Sequence, residues 1–393
     1  MTTQKSKNKN ILQKTLAALK SAGAYFRSNL PFTVTLALLV IAVAVLGVKQ
    51  YHEVKSEIAV QLSAEYENAK VIEFQDPVFE QEIRKVLERP NGAIYDVDLE
   101  TIGTLTIQNA PIRRIDELVY FTGLRNLEIS SAKIEDLSPL GELDRLQTLN
   151  LSSNIIMDLS PLAGCTDLRE LTLTSNNIMD ISPLYGLTHL TKLNVSKNTI
   201  GSVSEEIRNL KNLTYLDLST NRISDMSPFS GMKSLNQLYL TSNCIVEVAP
   251  LMGMESLDEL SLEGNAISHI DTLGEMPVLR KLTVGNNCLT EIEFMSQYPQ
   301  VQELSISQND VVSLEPLREC TGLQSLKLQY TPVTDITPLK DLPDFNSIYL
   351  DSQFDREKVR EILYRDGEWK FRNGDSMTKQ FILDDIYGFD REE

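Results

Sequence analysis

Chemistry-bearing residues are scarce in this chain. Its 393 residues include four cysteines, three histidines and one tryptophan, Trp369. His52, His189 and His269 stand far apart, and no Cys/His spacing matches a metal site. No nucleophile stands beside a base in a known motif, and no glycine-rich loop is built to cradle a phosphate. These absences argue against an enzyme, and no cofactor or metal is expected. Acidic residues are missing from residues 1–52, which carry Lys5, Lys7, Lys9, Lys14, Lys20, Arg27 and Lys49. The remainder holds 30 basic and 55 acidic residues, a net charge of −25. So acidic a body repels phosphate backbones, which argues against nucleic acid as a partner.

One long apolar run is present, Phe32 to Val48 after Leu30-Pro31. As a helix, residues 30–48 would span roughly 26–28 Å, enough for the hydrocarbon core of a bilayer. Tyr25, Phe26 and Tyr51 flank it at interfacial depth. Ala42-Val43-Ala44 has the spacing of a signal-peptidase site, but the apolar run continues past it and the leading region is long for a signal peptide. The expectation is a single membrane span. Positive charge stays cytoplasmic, so residues 1–29 form a cytoplasmic tail and the body is extracytoplasmic. Residues 49–71 read as a helical stalk. Tyr51, Val54, Ile58 and Leu62 give it a short apolar seam, a candidate for stalk-mediated homodimerisation that is too brief to specify a coiled coil alone.

The body is a repeat. Counting the first apolar residue of Leu-x-x-Leu-x-Leu as position 1, units begin at Ile102, Leu124, Leu146, Leu168, Leu190, Leu213, Leu235, Leu257, Leu279, Val301, Leu323 and Phe345. All intervals are 22 residues except one of 23. Positions 3 to 7 alternate polar and apolar, as in Glu170-Leu171-Thr172-Leu173-Thr174, the period of a strand with one buried face. Position 9 is Asn in eight consecutive units: Asn154, Asn176, Asn198, Asn221, Asn243, Asn265, Asn287 and Asn309. A buried amide there can satisfy backbone groups of two coils, so the ladder reads as structural. Segments such as Asp136-Leu137-Ser138-Pro139-Leu140 predict a short helical turn with Ser as its cap and Pro at its first position. Asp136, Asp158, Asp180, Asp225 and Asp335 recur at position 13, but one carboxylate per coil supplies too few oxygens for an ion. The 23-residue unit replaces Ser-Pro by Ser204-Glu205-Glu206, predicting a longer turn.

One such unit cannot bury its apolar side, so the units must stack. The expected architecture for residues 102–350 is an α/β right-handed solenoid. It has one parallel β-sheet on the concave face and short 3-10 or helical turns on the convex face. Flanking segments protect its ends. In residues 72–101, Asp76-Pro77 opens an amphipathic helix with Val78, Phe79, Ile83, Val86 and Leu87 inward, and a second short helix follows near Asp98. In residues 351–393, Phe354, Val359, Ile362 and Leu363 form another. Cys165 and Cys320 fall at a core position. Cys244 and Cys288 both follow a ladder Asn, two coils or roughly 10 Å apart, too far to bridge. Four free thiols are expected.

The run Leu-x-x-Leu-x-Leu-x-x-Asn-x-Ile-x-Asp-Ile-Ser-Pro-Leu resembles the 22-residue leucine-rich repeats of bacterial internalin-like surface proteins. The stretch Glu73 to Glu80 and on through Ile102 resembles their helical cap. The resemblance covers residues 72 to about 350 and implies protein recognition at a cell surface. It departs at the C-terminus, where Phe389-Asp390-Arg391-Glu392-Glu393 carries no wall-anchoring signal. A phosphatase-regulator branch of intracellular scaffolds shares the period and is the alternative.

Any protein or peptide partner is expected on the concave rows, positions 3, 5 and 7. Row 3 offers opposite charges on neighbouring strands, Glu170 with Lys192 and Glu259-Lys281-Glu303, which need no ligand. Row 7 is small and polar: Ser130, Ser152, Thr174, Ser196, Ser219 and Thr241. Against that background Tyr215, Asp217 and Tyr239 cluster on two strands, with Lys327, Tyr330, Tyr349 and Asp351 as a second group. Exposed Tyr is enriched at interfaces. The competing reading is that strand propensity alone selected these tyrosines.

Overall fold

The computed structural model describes residue 66 and residues 68–374, except 271–272, 352–353, 355, 366–367 and 371–372. The apolar segment 30–48 and most of the stalk lie outside the described residues. Among those described, no helix is long and apolar enough to cross a membrane. The chain forms two compact units, Met1–Asn176 and Asn177–Glu393.

The first unit opens with a cap of two helices, α1 (Pro77–Val86) and α2 (Asp96–Glu100). Four parallel strands follow: β1 (Thr104–Gln108), β2 (Asn126–Ser130), β3 (Thr148–Asn150) and β4 (Glu170–Thr172). They pair in chain order, each residue opposite its equivalent one repeat later, as in Leu149 with Leu171. Asp76 caps α1, accepting from the N–H groups of Val78 and Phe79. Phe79 and Ile83 are buried, whereas Val86 is 37% exposed and not inward as its spacing predicts. Val86 is the last residue of the helix; Leu87 is its C-cap and Glu88 turns left-handed at φ 52°.

The second unit contains β5 (Lys192–Asn194), β6 (Tyr215–Asp217), β7 (Gln237–Tyr239) and β8 (Glu259–Ser261). It continues with β9 (Lys281–Thr283), β10 (Glu303–Ser305), β11 (Ser325–Lys327) and β12 (Ser347–Tyr349). Beyond the repeats, α3 (Arg356–Leu363) buries Val359, Ile362 and Leu363. A two-residue pairing of β13 (Tyr364–Arg365) with β14 (Glu368–Trp369) follows, and β15 (Asn373–Gly374) then pairs with β12 and covers its edge. All twelve repeats thus supply a strand. Most strands are three residues, shorter than positions 3 to 7. Position 8 is left-handed in eleven consecutive repeats, those of the five-residue β1 and β2 included, from Asn109 (φ 58°) to Tyr330 (φ 58°), with Gly264 the one glycine. Left-handed backbone costs an L-residue roughly 1–2 kcal/mol. Most of these turns are held by a hydrogen bond to the next coil, such as Ser153 N–H to Thr174 O at 2.8 Å.

Leucines at positions 1, 4 and 6 are buried throughout, among them Leu146, Leu149 and Leu151, and Leu213, Leu216 and Leu218. The Asn ladder binds one coil to the next. Asn154 Oδ1 accepts the Ile134 N–H at 3.0 Å, and its Nδ2 donates to Ile129 O and Leu151 O at 2.9 Å each. Asn221 does the same with Ile200, Val195 and Leu218. On the opposite side, 3-10 turns such as Ser138–Leu140 and Ser227–Phe229 replace helices. Ser is not their cap. The position-13 carboxylate is, since Asp136 Oδ1 accepts the Ser138 N–H and Asp225 Oδ1 that of Ser227, both at 2.8 Å. A 3-10 turn starts tightly, so the acceptor must sit two residues earlier than an α-helical cap pattern suggests. The turn of the 23-residue unit, Glu205–Asn209, has five residues, no more than Ser160–Gly164 or Ser182–Gly186. The extra residue goes into extended backbone at Ser204 (ψ 163°) instead.

The four cysteines are free. Cys165 and Cys320 are buried, and burial pushes their thiols up to about 11 and about 12 respectively.

Candidate partner-binding face

Side chains at positions 3 and 5 of each strand stand outward from the leucine core, because successive residues of a strand point to opposite sides. In the second unit this places Tyr215 of β6 and Tyr239 of β7 together. Their ring centroids are 5.3 Å apart with the planes inclined at 44°. The pairing is diagonal: Asp217, not Tyr215, stands opposite Tyr239 in the register. Both rings are half-buried.

Polar neighbours fix the pair. The Tyr239 hydroxyl donates to Glu259 Oε2 at 2.6 Å, and Lys281 forms an ion pair with Glu259 Oε1. Gln237 Nε2 adds a longer bond to the same carboxylate at 3.4 Å. Burial, and then the hydrogen bond and charge of Glu259, drive the Tyr239 phenol well above its ordinary value, so it stays protonated and a donor. Tyr215 is also raised, by burial first and then by the charges of Asp217 and Glu259. Lys192 Nζ lies 5.0 Å from the Tyr215 ring centroid. The row-3 charges therefore divide: Lys281 takes Glu259, while Lys192 covers an aromatic ring. Asp217 accepts from Asn194 Nδ2 at 3.1 Å and from the Ser219 N–H at 2.9 Å. Asn194 did not stand out from the sequence, and Lys192 stood out only as a charge opposite Glu170, since a cation–π contact between strands leaves no charge pattern.

Next to this cluster the floor is made of hydroxyls. Thr241 and Ser261 lie 2.6 Å apart, and Thr283 donates to Ser261 at 2.7 Å. At the other end of the second unit, Lys327 lies over the Tyr349 ring, 5.4 Å from its centroid. Tyr330 does not join them on the strand rows. It occupies the left-handed turn position, its N–H is held by the Asp351 carboxylate, and it is 70% exposed. The seven residues singled out in the sequence thus form one aromatic pair with Asp217, one Lys–Tyr pair, and a turn tyrosine tied to Asp351. Among the described residues no group of His, Cys, Asp and Glu could hold a metal ion.

A family model described as a leucine-rich repeat region matches residues 145–352. No curated protein matches the chain in sequence. Among solved structures, an internalin (inlF) from Listeria monocytogenes shares 26% identity at a TM-score of 0.65, covering 77% of this chain and 95% of the internalin. The functional domain of InlJ, also from Listeria monocytogenes, is 22% identical at a TM-score of 0.63, covering 75% of this chain and 64% of that one. The leucine-rich-repeat protein LIC12759 of Leptospira interrogans is 22% identical at a TM-score of 0.58, covering 70% and 67%. More than half of the residues fall within the matching model, and twelve successive units each supply a strand at the same register: the chain belongs to the leucine-rich-repeat family, and internalins are among the proteins it is similar to.

Proposed function

We propose that this is a membrane-anchored, extracytoplasmic protein that binds a protein or peptide partner on the outward face of the second unit's sheet. The repeat fold suggests protein binding, and the single observation that carries the reading further is the Tyr215–Tyr239 pair. Two large rings are held against each other with their polar neighbours already satisfied, so they lose little side-chain entropy when a partner covers them. Interfaces concentrate their energy in such anchors. The anchor to the membrane is the apolar segment 30–48, with the basic residues before it cytoplasmic.

The test is capture of a partner by the full chain in detergent, followed by titration of that partner against variants. Tyr215→Ala with Tyr239→Ala should weaken binding by on the order of 2 kcal/mol or more. Thr148→Ala with Thr172→Ala, outward residues of the first unit, is the control. Equal weakening by both pairs, or by neither, sinks the assignment of this face, and Lys327, Tyr330 and Tyr349 would then be replaced next. Orientation is tested by protease added to intact cells, which should remove the repeat body. Protection until lysis contradicts the topology.

A further inference from the structure

Two carboxylates cross the junction between the cap and the first repeat in opposite directions. Asp76, at the start of α1, spends Oδ1 on its own helix and extends Oδ2 to the N–H groups of Arg113 (2.7 Å) and Arg114 (3.2 Å) in the first coil. Glu117, in the first coil's turn Asp116–Tyr120, reaches back, and its Oε1 accepts the N–H of Gln75 at 2.7 Å. Its other oxygen, Oε2, is buried and has no hydrogen-bond partner among the described residues, and Glu117 as a whole is 3% exposed. A buried carboxylate with an unpaired oxygen is costly when ionised, and the cost is smaller once it is protonated.

The charges around Glu117 do not compensate it. Asp116 and Arg114 are paired with each other at 2.7 Å. On α2, which packs against the same turn, Asp98 is bound to Arg89 and Asp96 accepts the Lys70 N–H, while Glu100 is exposed. The Lys70 ammonium is directed to the Tyr120 hydroxyl at 2.7 Å. On the next coil's turn, Ser138–Leu140, Asp136 accepts the Ser138 N–H, and the Arg114 charge that favours ionised Glu117 is offset by that of Asp116; among the described residues no cation bonds Oε2.

We infer that Glu117 and Asp76 form a proton-operated clasp that docks the cap most firmly on the first coil at mildly acidic pH. The opposite behaviour of the two carboxylates agrees with this geometry. Burial raises Glu117 above the ordinary carboxylate range, outweighing the Gln75 hydrogen bond. Burial acts the same way on Asp76, but four backbone N–H groups overcome it and hold that carboxyl below its ordinary value. For Glu117 the folded value is raised, so its contribution to stability is present at low pH and lost as pH rises through the folded value. For Asp76 the folded value is lowered, so its contribution is present above the unfolded value and lost as pH falls through the folded one. Between the two lies a window in which Glu117 is neutral and Asp76 is still ionised. There the clasp has no unpaired charge and all its backbone bonds.

The experiment is hydrogen exchange of the full chain in detergent, followed in peptides covering Gln75 to Leu87 and corrected for intrinsic rates. Scans run from about pH 8 down to about pH 4, where ordinary carboxylates begin to titrate. Protection of these peptides should rise on acidification in the wild-type chain, while peptides covering β6 to β8 stay level. Glu117→Gln and Glu117→Leu, which both remove the charge, should abolish the rise. A rise that survives in both variants overturns the clasp. So does a wild-type profile that is flat or falls towards about pH 4, a readout that holds even if neither variant folds.

Discussion

The outward strand positions of the two units differ far more than their cores. In the first unit β1 to β4 present Thr104, Thr106, Asn126, Thr148, Asn150 and Thr172, with Glu128 and Glu170 the only charges at positions 3 and 5. In the second, β5 to β9 present Lys192, Tyr215, Asp217, Tyr239, Glu259 and Lys281, joined by ring contacts, hydrogen bonds and an ion pair. Behind both faces lie the same rows of leucines, and ladder asparagines and capping aspartates recur in both units. Stability therefore resides in recurring inward and turn positions. The outward positions are free to vary, and at strand positions 3 and 5 only the second unit carries aromatic residues.

The largest expected effect tests the shared half of this comparison. Asn154→Ala in the first unit and Asn221→Ala in the second each leave a buried backbone N–H, of Ile134 and of Ile200, without its acceptor, while the carbonyls of Leu151, Val195 and Leu218 keep a bond from the neighbouring ladder amide. Each should lose about 1–3 kcal/mol of stability, the usual cost of a buried group left unpaired, with Asn154 at the upper end because Ile129 O also loses its amide donor. Denaturant unfolding of the two variants would measure it. A large difference between them would mean that the ladders are not equivalent, and the comparison would fail at its base.

The capping aspartates give a smaller effect of the same kind. Asp136→Ala and Asp225→Ala remove a side-chain acceptor from the first free N–H of a 3-10 turn. About 1 kcal/mol is expected for each, the usual worth of such a cap. Replacing Ser138 or Ser227 by Ala should cost less, because the hydroxyl is not the acceptor of the capping bond. Thermal melts that rank Ser above Asp would restore the reading in which Ser caps the turn.

What the sequence made legible follows from which forces are periodic. A leucine core repeating every 22 residues fixes which side of each strand is buried, so the twelve strands, the role of Asn154 and its equivalents, and the buried Cys165 and Cys320 could all be read in advance. Tyr215 and Tyr239 could be placed on neighbouring strands for the same reason. The turns were less legible because helical capping rules assume α-helical spacing, and a 3-10 turn moves the acceptor from Ser138 to Asp136. Val86 was expected inward and is exposed, because it closes the helix just before the left-handed turn at Glu88, where apolar spacing no longer decides what is buried. The contact of Lys192 with Tyr215 was missed because opposite charges in one row suggest ion pairs, and an aromatic ring competes for the same ammonium group.

That competition sets the smallest effect and tests the distinctive half of the comparison. Lys192→Ala removes a cation lying over the Tyr215 ring at 5.0 Å, with the ammonium still in contact with water. An exposed contact of this kind is worth about 0.5–1 kcal/mol, so the melting temperature should shift only slightly. Thr148→Ala, an outward residue of the first unit, should shift it less still. If Lys192 only shields the ring, its removal leaves Tyr215 more accessible and partner binding unchanged or tighter. If the ammonium itself touches the partner, binding weakens without a matching loss of stability, and more steeply at low salt, where charges are least screened. Binding and melting that fall together would instead make Lys192 part of the scaffold. The second unit's face would then be as purely structural at this position as the first unit's is at Thr148.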